Sequence, residues 1–76
     1  MTRIEIAEVI ESFVNGTCGE WTWDDFICTK MDTTEMEEIR KICSALPEVF
    51  PPLETGHYCN EEGIKVLVRI AAKLRH

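Results

Sequence analysis

Both tryptophans and one of the three phenylalanines of this 76-residue chain fall within six positions, Trp21-Thr22-Trp23-Asp24-Asp25-Phe26. In so short a chain they make up a large share of the apolar surface available for a core. Each buried aromatic removes roughly 150–250 Å² from water, and truncating a buried Trp costs about 3–5 kcal/mol. A domain of this length holds only about 4–11 kcal/mol in total. The segment is therefore expected to be an internal wedge on which helices close. Locally it reads as irregular structure with a short helical turn through Phe26, Ile27 and Cys28, capped by Asp24 or Asp25.

Three segments around it carry helical periodicity. Thr2-Arg3-Ile4-Glu5 fits a capping box, in which Thr2 accepts from the N3 amide and Glu5 reaches back. Ile6, Val9, Ile10 and Phe13 follow at helical spacing, with Ala7 and Val14 flanking them, and Asn15-Gly16 ends the run. Asp32-Thr33-Thr34-Glu35 fits a second capping box with Asp32 as the cap. Met36, Ile39, Ile42, Cys43 and Leu46 then make one apolar stripe, and Glu37 to Lys41 is a favourable i, i+4 pair. Pro47 disfavours α geometry at Leu46, so this helix is expected to stop there. Asn60-Glu61-Glu62 caps the third segment, whose core face is Ile64, Leu67, Ile70 or Ala71, and Leu74. Gly63 in its first turn costs up to about 1 kcal/mol relative to Ala, which close approach of a neighbour would justify.

Between the second and third segments lies a connection from Pro47 to Cys59. Pro51-Pro52 sets an extended path, and Glu54-Thr55-Gly56 suggests a turn. Val49, Phe50, Leu53 and Tyr58 would anchor it as a strap. The fold expected is thus all-α: a compact three-helix domain spanning residues 1–76, with an aromatic loop between helices 1 and 2 and a Pro-containing strap between helices 2 and 3.

Charge narrows the partners. The net charge is −6, and it is segregated: Glu20 to Glu38 carries seven acids and one base, Ile64 to His76 four bases and no acid. Such a balance disfavours nucleic acid or an anionic membrane as the main partner. A groove-binding role for the basic stripe Lys65, Arg69, Lys73 is a minor alternative, since four bases face fourteen acids. No apolar run approaches the ~20 residues of a membrane span. No signal peptide is visible, which makes the cytoplasm the expected location. There the four cysteines (Cys18, Cys28, Cys43, Cys59) read as reduced and mostly buried thiols.

The motifs Trp21-Thr22-Trp23-Asp24-Asp25-Phe26, Leu46-Pro47 with Phe50-Pro51-Pro52, and Tyr58-Cys59 ahead of Gly63 resemble a pattern in short uncharacterised bacterial proteins. The resemblance covers about residues 4 to 75. It implies a free-standing domain and carries no function, site residue or cofactor with it.

Chemistry has few candidates. His57 and Cys59 would share one side of an extended segment, the minimum for thiol–imidazole catalysis, with Asp24 or Asp25 to orient the imidazole. The same pair with another Cys could hold zinc, although no Cys-x-x-Cys knuckle is present. Asp24-Asp25 lacks the alternating oxygens and the glycine of a calcium loop. Ser12 and Ser44 sit inside helices, so neither is the attachment serine of a carrier domain. No catalytic residue, metal or cofactor is assigned. The expected function is a small acidic protein–protein interaction module of adaptor, inhibitor, antitoxin or immunity type. Its candidate binding residues are Trp21, Trp23, Asp24, Asp25, Glu35 and Glu38, an aromatic anchor with a carboxylate rim facing a basic partner surface. The competing reading of both tryptophans is burial in the core.

Overall fold

The computed structural model describes residues 1–19, 21–53 and 57–76. Four helices occur among them, and no strand: α1 (Arg3–Asn15), α2 (Thr22–Cys28), α3 (Thr34–Val49) and α4 (Glu61–Leu74). The all-α expectation holds, and the expected count of three is corrected to four. The aromatic segment supplies the extra helix, because Trp23, Phe26 and Ile27 stand at i, i+3, i+4 and give it an apolar face of helical period.

The ends of α1 follow the sequence closely. Thr2 Oγ1 accepts from the Glu5 amide at 3.1 Å while Glu5 Oε1 accepts from the Thr2 amide at 2.9 Å. Gly16 closes the helix in the left-handed region at φ 75°, where a Cβ would be strained. In α3 the cap is Thr33, not Asp32: its hydroxyl accepts from the Met36 amide at 3.2 Å and Asp32 is exposed. Asn60 caps α4, its Oδ1 accepting from the Gly63 amide at 3.1 Å.

Pro47 does not stop α3, which continues to Val49. A proline there removes the N–H that would have reached the carbonyl of Cys43, four residues back. The Tyr58 hydroxyl takes that place, donating to the Cys43 carbonyl at 2.7 Å. With the carbonyl satisfied, the last turn survives and closes with Phe50 N–H on the Leu46 carbonyl at 2.7 Å.

The strap after α3 is closed at its base, where the Asn60 amide donates to the Phe50 carbonyl at 3.0 Å. Phe50 and Tyr58 pack against the core, whereas Val49 and Leu53 are 64% and 93% exposed and anchor nothing. The expected turn at Glu54-Thr55-Gly56 lies outside the described residues.

α1 and α4 form the main interface. Ile6, Ala7 and Ile10 of α1 and Leu67, Ala71 and Leu74 of α4 are all buried in one apolar core. Around the bundle the order is α1, α4, α3, α2, which leaves α2 and α4 at opposite corners. Met36, Cys43 and Leu46 of α3 complete the core, but Ile42, expected inside, is 46% exposed. Gly63 has the reason the sequence asked for: a Cβ there would lie 2.7 Å from Cys59 Sγ and 3.2 Å from Phe50 Cβ.

Candidate functional site

α2 has two faces that divide the aromatic segment between core and solvent. Successive residues of a helix turn by about 100°, so Trp21 and Trp23 project in nearly opposite directions. Trp23 is 5% exposed and Trp21 68% exposed. Trp23 stacks on Phe13 of α1 at 4.0 Å between ring centroids, with Tyr58 edge-on to both rings and Phe26 tilted at 5.4 Å. The wedge expected of the whole segment is thus Trp23 and Phe26 alone. The indole Nε1 of Trp23 is buried without a hydrogen-bond partner among the described residues. Burial raises the pKa of the neighbouring Tyr58 hydroxyl.

On the outer face stand Trp21, Asp24, Asp25 and Cys28, at i, i+3, i+4 and i+7, and all four are exposed. Neither aspartate caps the helix: the cap position is Trp21, which makes no side-chain cap bond. Both lie in the first turn, where the helix dipole favours negative charge. The result is an exposed indole with two carboxylates on the same helical face.

A part-buried ion pair fixes α2 against α3. Glu37 takes Arg40 in a two-pronged contact, Arg40 Nε to Oε1 and Nη2 to Oε2, each 2.7 Å. The expected partner of Glu37, Lys41, is passed over. Glu37 Oε1 also accepts from the Met31 amide at 3.0 Å, and Arg40 Nη1 donates to the Ile27 carbonyl at the end of α2. These bonds hold the Glu37 carboxyl down to a pKa of about 2, the Arg40 contact contributing most and the Met31 amide next. The connection from α2 to α3 is therefore tied at both ends by one side-chain pair, which sequence reasoning missed.

Glu35 and Glu38 are exposed but belong elsewhere. They line a groove with Arg3, Ile39, Ile42 and Lys73, among side chains of α1, α3 and α4 only. Glu35 is bonded to the Arg3 guanidinium, which also donates to the Lys73 carbonyl. The structure thus brings Trp21, Asp24 and Asp25 together, sends Trp23 to the core, and separates Glu35 and Glu38 from the α2 face. Glu20 lies outside the described residues.

His57 and Cys59 do line one depression, together with Leu53, Asn60, Glu61 and Ile64. Cys59 is buried there, and burial raises its pKa, which favours the thiol over the nucleophilic thiolate. Asp24 and Asp25 do not line that depression. Cys43 is wholly buried and its thiol is pushed up to about 12 by desolvation. None of the four cysteines is in a disulfide. Only Cys43 and Cys59 are buried; Cys28 is exposed on α2 and Cys18 half-buried, which corrects the expectation of mostly buried thiols.

On the opposite corner, Lys65, Val68, Arg69 and Ala72 form an exposed face of α4 at the same i, i+3, i+4, i+7 spacing. Beside it runs a groove of about 530 Å³ between α1 and α4, floored by Ile10, Val14, Val68, Ala71 and Ala72. Glu11 and Arg75 close its side with two contacts of 2.7 Å.

Among the described residues, no three His, Cys, Asp or Glu side chains gather closely enough to hold a metal ion. No helix among the described residues is long and apolar enough to cross a membrane. Comparison with protein families, with curated proteins and with solved structures gives no match.

Proposed function

We propose that this chain is a small, non-catalytic protein–protein interaction module of the cytoplasm, and that the outer face of α2 receives a basic partner surface. One observation carries the reading: Trp21 is 68% exposed on a helical face that it shares with Asp24 and Asp25. The neighbouring Trp23 is buried, so the core's need for aromatic bulk is met without Trp21. An exposed indole beside carboxylates that hold no ion pair among the described residues suits an interface anchor with a polar rim. Cationic groups, and guanidinium above all, can stack on the indole while pairing with the carboxylates. The unpaired thiols, Cys28 among them, suit a reducing compartment.

The test uses a synthetic peptide rich in arginine and leucine, titrated into the labelled protein and followed by the two indole N–H resonances. The Trp21 resonance should shift with the Trp23 resonance nearly still, and the affinity should fall as salt rises. Charge reversal in Asp24→Lys/Asp25→Lys should abolish the shift. An unmoved Trp21 resonance, or an undiminished response in the double variant, places the interface elsewhere.

A further inference from the structure

We infer that the basic partner of the α2 face is a second copy of this chain, which docks through the outer face of its α4. This rests on the α2 reading above and names the partner of that same face.

The two surfaces match in spacing and oppose in charge. Trp21, Asp24 and Asp25 stand at i, i+3 and i+4 on α2; Lys65, Val68 and Arg69 stand at i, i+3 and i+4 on α4. Val68 is 51% exposed and edges the apolar groove between α1 and α4, a recess of about 530 Å³ whose floor is aliphatic. Trp21 is the largest of the exposed apolar side chains among the described residues, and it is the one flanked by carboxylates on its own helical face. Arg69 has no ion pair among the described residues, and Lys65 has only the solvent-exposed Glu62 at 3.2 Å. Both cations are thus available to Asp24 and Asp25, neither of which is in an ion pair among the described residues.

Within one chain α2 and α4 each pack on α1 and α3, which places them at opposite corners of the bundle, and the side chains of both faces are exposed. Each copy therefore offers one donor face and one acceptor face. Such a head-to-tail contact builds a ring when the rotation closes and an open chain when it does not. The overall charge of −6 opposes association. At 0.1 M salt, however, charges separated by more than about 10 Å are screened, whereas groups in contact still attract. The α2 face is only about 10 Å long at 1.5 Å per residue, which places the interface below the ~1,200 Å² of stable complexes. Association is accordingly weak and reversible.

Sedimentation velocity from micromolar to millimolar protein tests this. The wild-type chain should show an average mass that grows with concentration and returns to monomer at ~1 M salt, where screening acts within about 3 Å. Trp21→Ala lacks the donor face and Val68→Glu the acceptor face, and each should stay monomeric alone. Mixed in equal amounts they should form a 1:1 dimer and nothing larger, because each retains one competent face. If circular dichroism shows either variant unfolded, Asp24→Asn/Asp25→Asn and Ala72→Glu replace them. A wild type that is monomeric at every concentration overturns the inference, as does a mixture that stays monomeric while the wild type associates. The arginine-rich peptide separates the two readings. A monomeric wild type whose Trp21 resonance still responds to the peptide overturns self-association alone; loss of both responses overturns both.

Discussion

The hydroxyl of Tyr58 donates to the carbonyl of Cys43 at 2.7 Å, the carbonyl that Pro47 leaves without an amide. One hydrogen bond thereby joins the strap to the last turn of α3. It also sets Tyr58 edge-on against Trp23 and Phe13, so the helix end and the aromatic cluster depend on the same side chain.

Removing that hydroxyl should be costly. Tyr58→Phe keeps the ring and leaves a part-buried carbonyl unsatisfied, a loss of about 1–3 kcal/mol in urea unfolding. Pro47→Ala restores an amide that can reach the same carbonyl. In the Pro47→Ala background Tyr58→Phe should therefore cost clearly less, and equal costs in both backgrounds would refute the compensation.

The two tryptophans should separate in stability. Trp23→Ala removes a ring stacked in the core and should cost about 3–5 kcal/mol, close to the whole stability of a small domain. Trp21→Ala should change stability by no more than about 0.5 kcal/mol, as exposed positions do. Comparable melting temperatures for the two variants would contradict the assignment of faces.

Acid should loosen the connection between α2 and α3. The Glu37 carboxyl ordinarily titrates near 4.5 and is held at about 2 in the folded chain. A depressed carboxylate pKa adds stability that is fully present above the unfolded value and is lost as pH falls through the folded one. Glu5 and Glu11 are lowered too, by Thr2 and Arg75, so the wild type alone cannot assign the effect. Glu37→Gln should be less stable than wild type at neutral pH and show a shallower loss between about 4.5 and about 2. Parallel pH profiles of melting temperature would exclude the Glu37–Arg40 pair as a source.

Gly63→Ala sets helix propensity against space. Alanine favours the helix by up to about 1 kcal/mol. Its methyl, however, would lie 2.7 Å from Cys59 Sγ and 3.0 Å from Cys59 Cβ in a buried corner. Crowding of that degree costs about 1–3 kcal/mol, so the net effect should be destabilising. Cys59→Ala should relieve the alanine variant in part, and a stabilised Gly63→Ala protein would show that the corner yields freely.

Much of this architecture is written in local sequence. Thr2 with Glu5, Gly16, and Asn60 mark helix ends through bonds between near neighbours, and the structure places those ends where the sequence does. What escaped depends on distant partners. Pro47 reads as a stop because its compensating donor, Tyr58, stands eleven positions further along. Thr33 displaces Asp32 as a cap by a single register step, a choice that two adjacent capping residues leave open. In the aromatic segment the irregular structure expected around a short turn at Phe26, Ile27 and Cys28 gives way to a full helix, because Trp23, Phe26 and Ile27 recur at helical spacing. That helix puts the two indoles on opposite sides. Of the candidate site, Trp21, Asp24 and Asp25 came together because they are neighbours on one helix. Glu35 and Glu38 were grouped with them by charge, which says nothing about which corner of a bundle a helix occupies.

The pairing of α1 with α4 dictates when this protein can fold. Ile6, Ala7 and Ile10 are fully buried, and their covering helix begins only at Glu61. During synthesis the first helix must wait, its apolar stripe open to water, until nearly all of the intervening chain has been made. Closing so long a loop precedes the contacts that reward it, which slows folding relative to bundles of successive hairpins. A nascent chain ending before Glu61 should consequently lack cooperative melting and be prone to aggregate. A cooperative thermal transition in a fragment of residues 1–60 would contradict this order of events.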